Sequence, residues 1–399
     1  MKLKLISAIV LTLGAFACAG TASAQSSVTL YGIVDAGVLY NSNVKGGHEY
    51  AMSQANSSRW GMKGSEDLGG GLKAIFTLEN GFATATGTLS QGGLEFGRKA
   101  FVGLTSSTWG TLTLGRQYSV SNDFTGPLAS GADWAGSGLG YGTRAGDVDN
   151  IDTSNRIANS LKYESPVYRG LQAGVMYSLG GQPGQVTRNE VIDAGFAYTN
   201  GPFKLGAGYN YTKNPYYATF GNQGNSSTSA TGTNNNINNV IYGGYASAAA
   251  QQIIVVGGSW AIGAANVGLV YSNTQFIGLG ATAAGGATAA PKYAGGSAVF
   301  NSEEVNLKYL MSPALQLGAA YIHTRNGGAD GYGGAHYNQF NLGVTYFLSK
   351  RTSIYALGYL ETASGTDSTG HAAVADLSGS AYSSSNRQTA FIVGATQRF

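Results

Sequence analysis

The sequence predicts an all-β chain: a 16-stranded antiparallel transmembrane β-barrel with an inward-folded third external loop. Three observations predict it. About sixteen segments alternate apolar and polar residues with a period of two, the mark of strands whose faces meet different surroundings. The connections between them alternate short and long without exception, as in up-and-down membrane barrels with tight turns on one side and long loops on the other. Charged residues are only 11% of the 399-residue chain, beside 62 glycines, 25 tyrosines and seven prolines. Soluble domains carry roughly 25% charged residues, and no apolar run after the N-terminal leader approaches the ~20 residues of a membrane helix.

The leader is MKLKLISAIVLTLGAFACAGTASAQ. Lys2 and Lys4 precede an apolar core, and Ala22-Ser23-Ala24 forms a small-residue cleavage site. Residues 1–24 therefore read as a cleaved signal peptide, and residues 25–399 as the barrel. The only cysteine, Cys18, lies inside the leader, and Phe16 two positions earlier fits a lipid-attachment motif poorly. The mature chain has no disulfide or thiol chemistry. Removing the leader takes the 23 basic residues to 21 against 20 acidic ones. That balance leaves no global field to attract nucleic acid.

Taken in order, SVTLYGIVDAGVLY sets Val28, Leu30, Val34, Ala36, Val38 and Tyr40 against Tyr31, Ile33 and Asp35. NSNVKGGHEYAMSQANS is expected to be a loop. SRWGMKGS sets Trp60 and Met62 against Arg59 and Lys63, and after the tight turn EDLGGG, Leu72, Ala74, Phe76 and Leu78 oppose Lys73, Thr77 and Glu79. Further strands are expected near 96–105, 110–118, 155–164, 170–179, 189–199, 203–213, 251–262 and 265–275. The last five lie near 302–310, 315–323, 337–347, 352–361 and 388–399. Leu171, Ala173, Val175 and Tyr177 face outward, as do Phe203, Leu205, Ala207, Tyr209 and Tyr211, with Lys204, Gly206, Asn210 and Thr212 behind them. TSIYALGYL is apolar on both faces and is left unoriented. The final run QTAFIVGATQRF must pair with the first strand, because an open edge in lipid leaves backbone groups unsatisfied. Residues 214–239 and 278–298 read as low-complexity solvated loops. The stretch from Ser119 to Asn155 has no sustained hydrophobic period. A loop this long is usually functional, and it is expected to fold into the lumen and narrow it.

The stretches SVTLYGIVDAGV, SSRWGMKGSEDLGGGLKAIFTLENGF, FGRKAFVGLTSSTWGTLTLGRQY and YFLSKRT, with the terminal Phe399, resemble the Gram-negative general porins, most closely those of beta-proteobacteria. The resemblance covers essentially the whole mature chain. It implies a homotrimer in the outer membrane, in contact with lipid and lipopolysaccharide, with Phe399 read by the barrel assembly machinery. It also implies a ladder of wall arginines opposite acids of the folded loop. Arg59 in SSRWGMKG, Arg98 in FGRKAFVGL and Arg156 in NRIANSLKY match that ladder.

Parity places Arg59 and Lys63 inward, and Arg156 with Lys162. Arg98 is less defined, since Phe101 and Val102 could both face lipid. Arg116 reads as outward, Asp35 as a candidate wall acid, and Glu79 as a plain lumen residue. The loop lacks the Pro-Glu-Phe-Gly-Gly stretch of the enterobacterial branch and offers Asp123, Asp133, Asp147, Asp149 and Asp152. Asp123 and Asp133 lie in the part expected to reach the wall.

The expected function is passive diffusion of ions and small hydrophilic solutes. Three wall arginines against about two loop acids give a weak anion preference, because charged rings at a constriction tune ion selection. The alternative is a barrel serving mainly as a surface receptor or adhesin, or as a substrate-specific channel. The chain has only four histidines and no G-x-S-x-G element, which argues against a hydrolase. No cofactor is expected. GDVDNIDTSN lacks the glycine and terminal glutamate of a calcium loop.

Overall fold

The structure, a computed structural model, describes residues 26–136, 138, 140–181, 183–215, 239–282 and 293–399. The predicted leader and most of the two low-complexity loops lie outside these residues. The first strands are β1 (Ser27–Val44), β2 (Gly47–Ser53), β3 (Arg59–Gly69), β4 (Leu72–Gly81), β5 (Lys99–Ser106) and β6 (Gly110–Gln117). Next come β7 (Ile157–Glu164), β8 (Leu171–Ser178), β9 (Val191–Asn200), β10 (Phe203–Lys213), β11 (Ala250–Ile262) and β12 (Ala265–Ile277). The last are β13 (Ser297–Ser312), β14 (Leu315–Asn326), β15 (Ala335–Phe347), β16 (Thr352–Gly365) and β17 (Arg387–Arg398). They form one antiparallel sheet that closes where β1 pairs with β17, Val38 facing Val393. Closure removes the edges that lipid cannot satisfy.

Seventeen strands make sixteen staves. β2 pairs with the upper part of β1 and β3 with its lower part, so both occupy one position in the wall. The stretch expected as a loop is thus partly a hairpin. Lys45 and Gly46, with φ of 51° and 99°, make its tight turn, and β2 presents Tyr50 and Met52 outward.

The stave breaks at residues 54–58 because Asp35 draws that segment inward. The fully buried Asp35 carboxylate accepts from the Ala55 N–H at 2.9 Å, Asn56 Nδ2 at 2.9 Å, the Tyr355 hydroxyl at 2.7 Å and Thr396 Oγ1 at 2.5 Å. Asp35 is therefore a saturated internal strut and not a wall acid facing the pore.

Parity holds around the barrel. Val28, Leu30, Val34 and Val38 are exposed on β1, and Phe391 and Val393 on β17. The strand that the sequence left unoriented is settled: Ile354 faces out, while Tyr355, Leu357 and Tyr359 are buried. At the seam the Phe399 N–H donates to the Gly32 carbonyl at 3.2 Å and the Gly32 N–H donates back at 3.1 Å.

On the long-loop side the connections fold over the lumen and build an apolar core there. Tyr245 is its centre, with ring centroids 5.2 Å from Tyr293, 5.8 Å from Phe276 and 6.0 Å from Phe300.

Asp35→Ala should lower the unfolding free energy of the refolded barrel by about 3 kcal/mol, because several buried donors lose their acceptor. Urea-induced unfolding followed by heat-modifiable gel mobility measures this.

Candidate functional site

Residues 119–155 run along the inner wall, held by side chains of the inward parity. Ser119 caps the short helix α1 (Val120–Thr125) by accepting from the Asn122 N–H. Asp193 on β9 accepts from the Ser121 N–H at 2.8 Å and its hydroxyl at 2.6 Å. The helix can lie this close because the wall beneath it lacks side chains. A Cβ on Gly208 would come within 2.3 Å of Ser121 Cβ, and one on Gly206 within 2.4 Å of the Phe124 carbonyl oxygen.

Farther along, Leu128 packs with Ile151, Val255 and Val270, and the Ser130 N–H donates to Glu304 Oε1 at 2.7 Å. The Trp134 ring then lies over Gly318 and Gly343, which face each other across β14 and β15. A Cβ on Gly318 would sit 2.2 Å from that ring. The tip reaches the break in the second stave, where the Gly138 N–H donates to the Ala55 carbonyl at 2.8 Å.

The returning half carries its own charged core. Arg144 is fully buried, with Nη1 2.9 Å from Glu304 Oε2 and Nε 3.4 Å from Asp149 Oδ2. Burial opposes its charge, but Glu304 and Asp149 outweigh that and raise its pKa. Asp149 also accepts from the Ser272 hydroxyl at 2.5 Å. Asp147 accepts from the N–H groups of Asp152 and Ser154. Burial and the neighbouring Asp149 push the Asp147 carboxyl up to about 6. Burial and Asp147 raise Asp152 well above the usual carboxylate range. One buried cation thus stands among four acids. Among the described residues no group of three or more metal-ligating side chains is arranged to hold an ion.

The sequence-selected bases gather on the wall. Arg98 and Arg156 are buried, while Arg59 is half-buried. Arg98 Nε lies 2.6 Å from Glu79 Oε1, and the Tyr31 hydroxyl donates to Glu79 Oε2 at 2.8 Å. Arg59 Nη1 donates to the Ser57 carbonyl at 2.9 Å. Arg156 Nη2 donates to the Tyr118 hydroxyl at 3.3 Å. The Tyr118 ring is approached by three cations, Lys99 at 5.0 Å, Arg156 at 5.1 Å and Arg98 at 5.9 Å. Lys63 lies over the Tyr31 ring at 5.6 Å. Val102 is the residue of its strand that faces out, and Arg98 shares its parity; Arg98 is nonetheless buried against Glu79 because it precedes Lys99, where β5 begins. Arg116, expected to face outward, donates to the carbonyls of Gly97 and Arg156 at a bulge in β6.

The loop acids behave differently from the expectation. Asp123 pairs with Lys162 at 2.6 Å, and Asp133 pairs with Lys308. Both are engaged where the loop attaches, and neither is ion-paired to the arginine ladder. Glu79, expected to be a plain lumen residue, is the acid that Arg98 meets.

Sequence reasoning also missed Lys99, Lys308, Tyr118 and Arg398. Arg398 pairs across the seam with Ile33, which is flanked on its other side by Arg59. Parity could have found it, since Arg398 alternates with the outward Phe399. Lys308 likewise alternates with the outward Leu307 and Tyr309.

Comparison with known proteins places this geometry. A family model described as Gram-negative porin matches residues 7–296 and 277–366. An outer membrane porin of Bordetella pertussis is 31% identical over 380 residues, covering 85% of this chain and 90% of the relative. Outer membrane porin protein 32 of Delftia acidovorans is 37% identical over 215 residues, covering 52% of this chain and 59% of the relative. Among solved structures, the anion-selective porin from Comamonas acidovorans superposes with a TM-score of 0.70 at 23% identity, covering 94% of this chain and all of the other. A trimer form of OmpT from Vibrio cholerae gives 0.62 at 16% identity, covering 94% of this chain and 99% of the other.

Gly318→Val should unseat Trp134 and free the loop tip, raising single-channel conductance while the barrel still migrates as folded. The buried acids give a pH signature. A carboxyl with a raised folded pKa keeps its proton in the packed loop after the unpacked loop has lost it. The packed loop is therefore favoured at low pH, and that advantage is lost as pH rises from about 4 through about 6. Current flicker should increase over that range, and Asp152→Asn should suppress the increase.

Proposed function

This chain belongs to the Gram-negative porins, with the outer membrane as its setting, and from that premise we propose that it is a general diffusion channel with a weak preference for anions. One observation carries the preference. Of the acids near the gap, Asp123, Asp133, Asp149 and Glu304 are each engaged by Lys162, Lys308 or Arg144. The wall around Tyr118 and the seam keeps Arg59, Arg98, Arg156, Lys63, Lys99 and Arg398 with Glu79 as the acid paired there. A narrow gap between low-dielectric walls focuses such an excess, so a few lining charges outweigh a near-neutral chain. Small polar solutes keep their hydration in a wet, charged gap, whereas apolar ones must displace ordered water.

The remaining parts of the reading follow the family. Residues 1–24 direct export, Phe399 serves barrel assembly, and the chain works as a homotrimer. In that reading the 119–155 loop is the constriction, Arg59, Arg98, Arg156 and Lys63 its basic side, and Asp123 and Asp133 serve as ties that hold the loop on the wall.

Zero-current potentials of the refolded protein in a planar bilayer under a salt gradient test this. The wild type should show a modest anion-selective potential. Arg59→Glu, Arg156→Glu and Arg398→Glu should each shift it toward cations. Potentials unchanged in all three variants would sink the basic-wall reading. A folded barrel with no ohmic steps would favour the receptor or adhesin alternative.

A further inference from the structure

Tyr118 stands one residue beyond β6, where the chain leaves the wall for the 119–155 loop. Charged groups meet it from every element around it. Arg98 and Lys99 come from the start of β5, with the Arg98 guanidinium 5.9 Å and Lys99 Nζ 5.0 Å from the ring centroid. Arg156, just before β7, sets its guanidinium 5.1 Å from the ring and donates from Nη2 to the hydroxyl at 3.3 Å. Arg59 on β3 and Arg116 on β6 also lie within its electrostatic reach.

The acids nearby are already committed. Glu79 on β4 meets Arg98 and the Tyr31 hydroxyl. Asp123 and Glu164 lie at Lys162 of β7, whose Nζ donates to the Tyr118 carbonyl at 3.5 Å. The cations around the ring therefore repel one another, and the negative face of an aromatic ring offsets only part of that. Guanidiniums keep their protons, whereas a phenol can release one. Tyr118 is buried but 9% exposed, which leaves that proton a path to water. Burial opposes the phenolate, yet Arg156 and Arg98 outweigh burial and bring the hydroxyl down to about 8, from about 10 for an ordinary tyrosine.

We propose that Tyr118 is a specificity-determining residue of the channel, which grades the anion preference by gaining or losing its phenolic proton. As a phenol it leaves the wall its full excess of cations. As a phenolate it cancels one of them, and the freed proton passes to water in the gap. The inference rests on the diffusion-channel reading above, and it makes the basic wall strongest in neutral and acidic media and weaker in alkaline ones.

The test pairs zero-current potentials with tyrosinate ultraviolet absorbance, both taken on the refolded protein between about pH 6.5 and about pH 9.5. The wild-type anion-to-cation permeability ratio should fall by about half across this range, because one charge at the constriction is cancelled. Tyr118→Phe keeps the ring and removes the hydroxyl, so its ratio should stay level with pH. The absorbance difference between the two proteins should show one tyrosine ionising near the lower value, and Arg156→Gln should move that ionisation to about tenfold lower proton concentration. Heat-modifiable mobility checks that each variant folds, and Arg156→Gln serves if Tyr118→Phe does not. A pH-independent wild type, an equal fall in Tyr118→Phe, or an ionisation that Arg156→Gln leaves in place would overturn the proposal. A wild type without anion preference at the lower pH would instead sink the reading of the wall, and the absorbance difference would still decide whether Tyr118 ionises.

Discussion

The buried Asp35 carboxylate is the interaction on which the rest depends. It sits near the middle of the first strand and gathers donors from the broken second stave, from β16 and from β17. A carboxylate removed from water needs several donors to remain there, and the donors it finds span the seam where the barrel closes. Meeting that demand pulls residues 54–58 out of the sheet. This displacement places the Ala55 carbonyl where the loop tip can bond to it. Barrel closure and the position of the loop tip thus both depend on one buried charge.

The loop is seated by omission as much as by attraction. Glycines on the inward parity let α1 and the Trp134 ring approach the backbone of the wall, which gives part of the glycine-rich composition a purpose that a lipid-facing strand does not require. The loop's charges are then spent on attachment. Lys162, Lys308 and Arg144 are each committed to acids within the lumen. In the channel proposed above, what remains to act on a solute is the imbalance on the wall from β17 through β1 to β7, where Tyr118 and Glu79 organise the cations. Packed aromatic loops fill part of the lumen on the long-loop side, so charges on the uncovered wall count for more.

The barrel was legible because lipid imposes a strict period of two. All sixteen expected strands correspond to staves, and even the ambiguous TSIYALGYL adopts one orientation once its neighbours are in place. The hairpin at Gly47–Ser53 was not legible. Its alternation is short, and its pairing with the upper part of β1 depends on a two-residue turn within a polar stretch. Arg398 and Lys308 were within reach of parity reasoning but stand beside residues that draw attention first, a terminal aromatic and an apolar run.

By itself the sequence determined which side of most strands meets lipid, how many staves close the barrel, which end carries the long loops, and that Arg59 and Arg156 point inward. Each of these follows from periodicity within a single strand or from connection length. Only the tertiary structure decided which acid meets which base. Asp123 and Lys162 are 39 residues apart in the chain, and Asp133 and Lys308 are 175 apart. Such pairings depend on the path the loop takes across the lumen, and that path is set by Asp35, the inward glycines and the seat of Trp134, none of which leaves a local period in the chain.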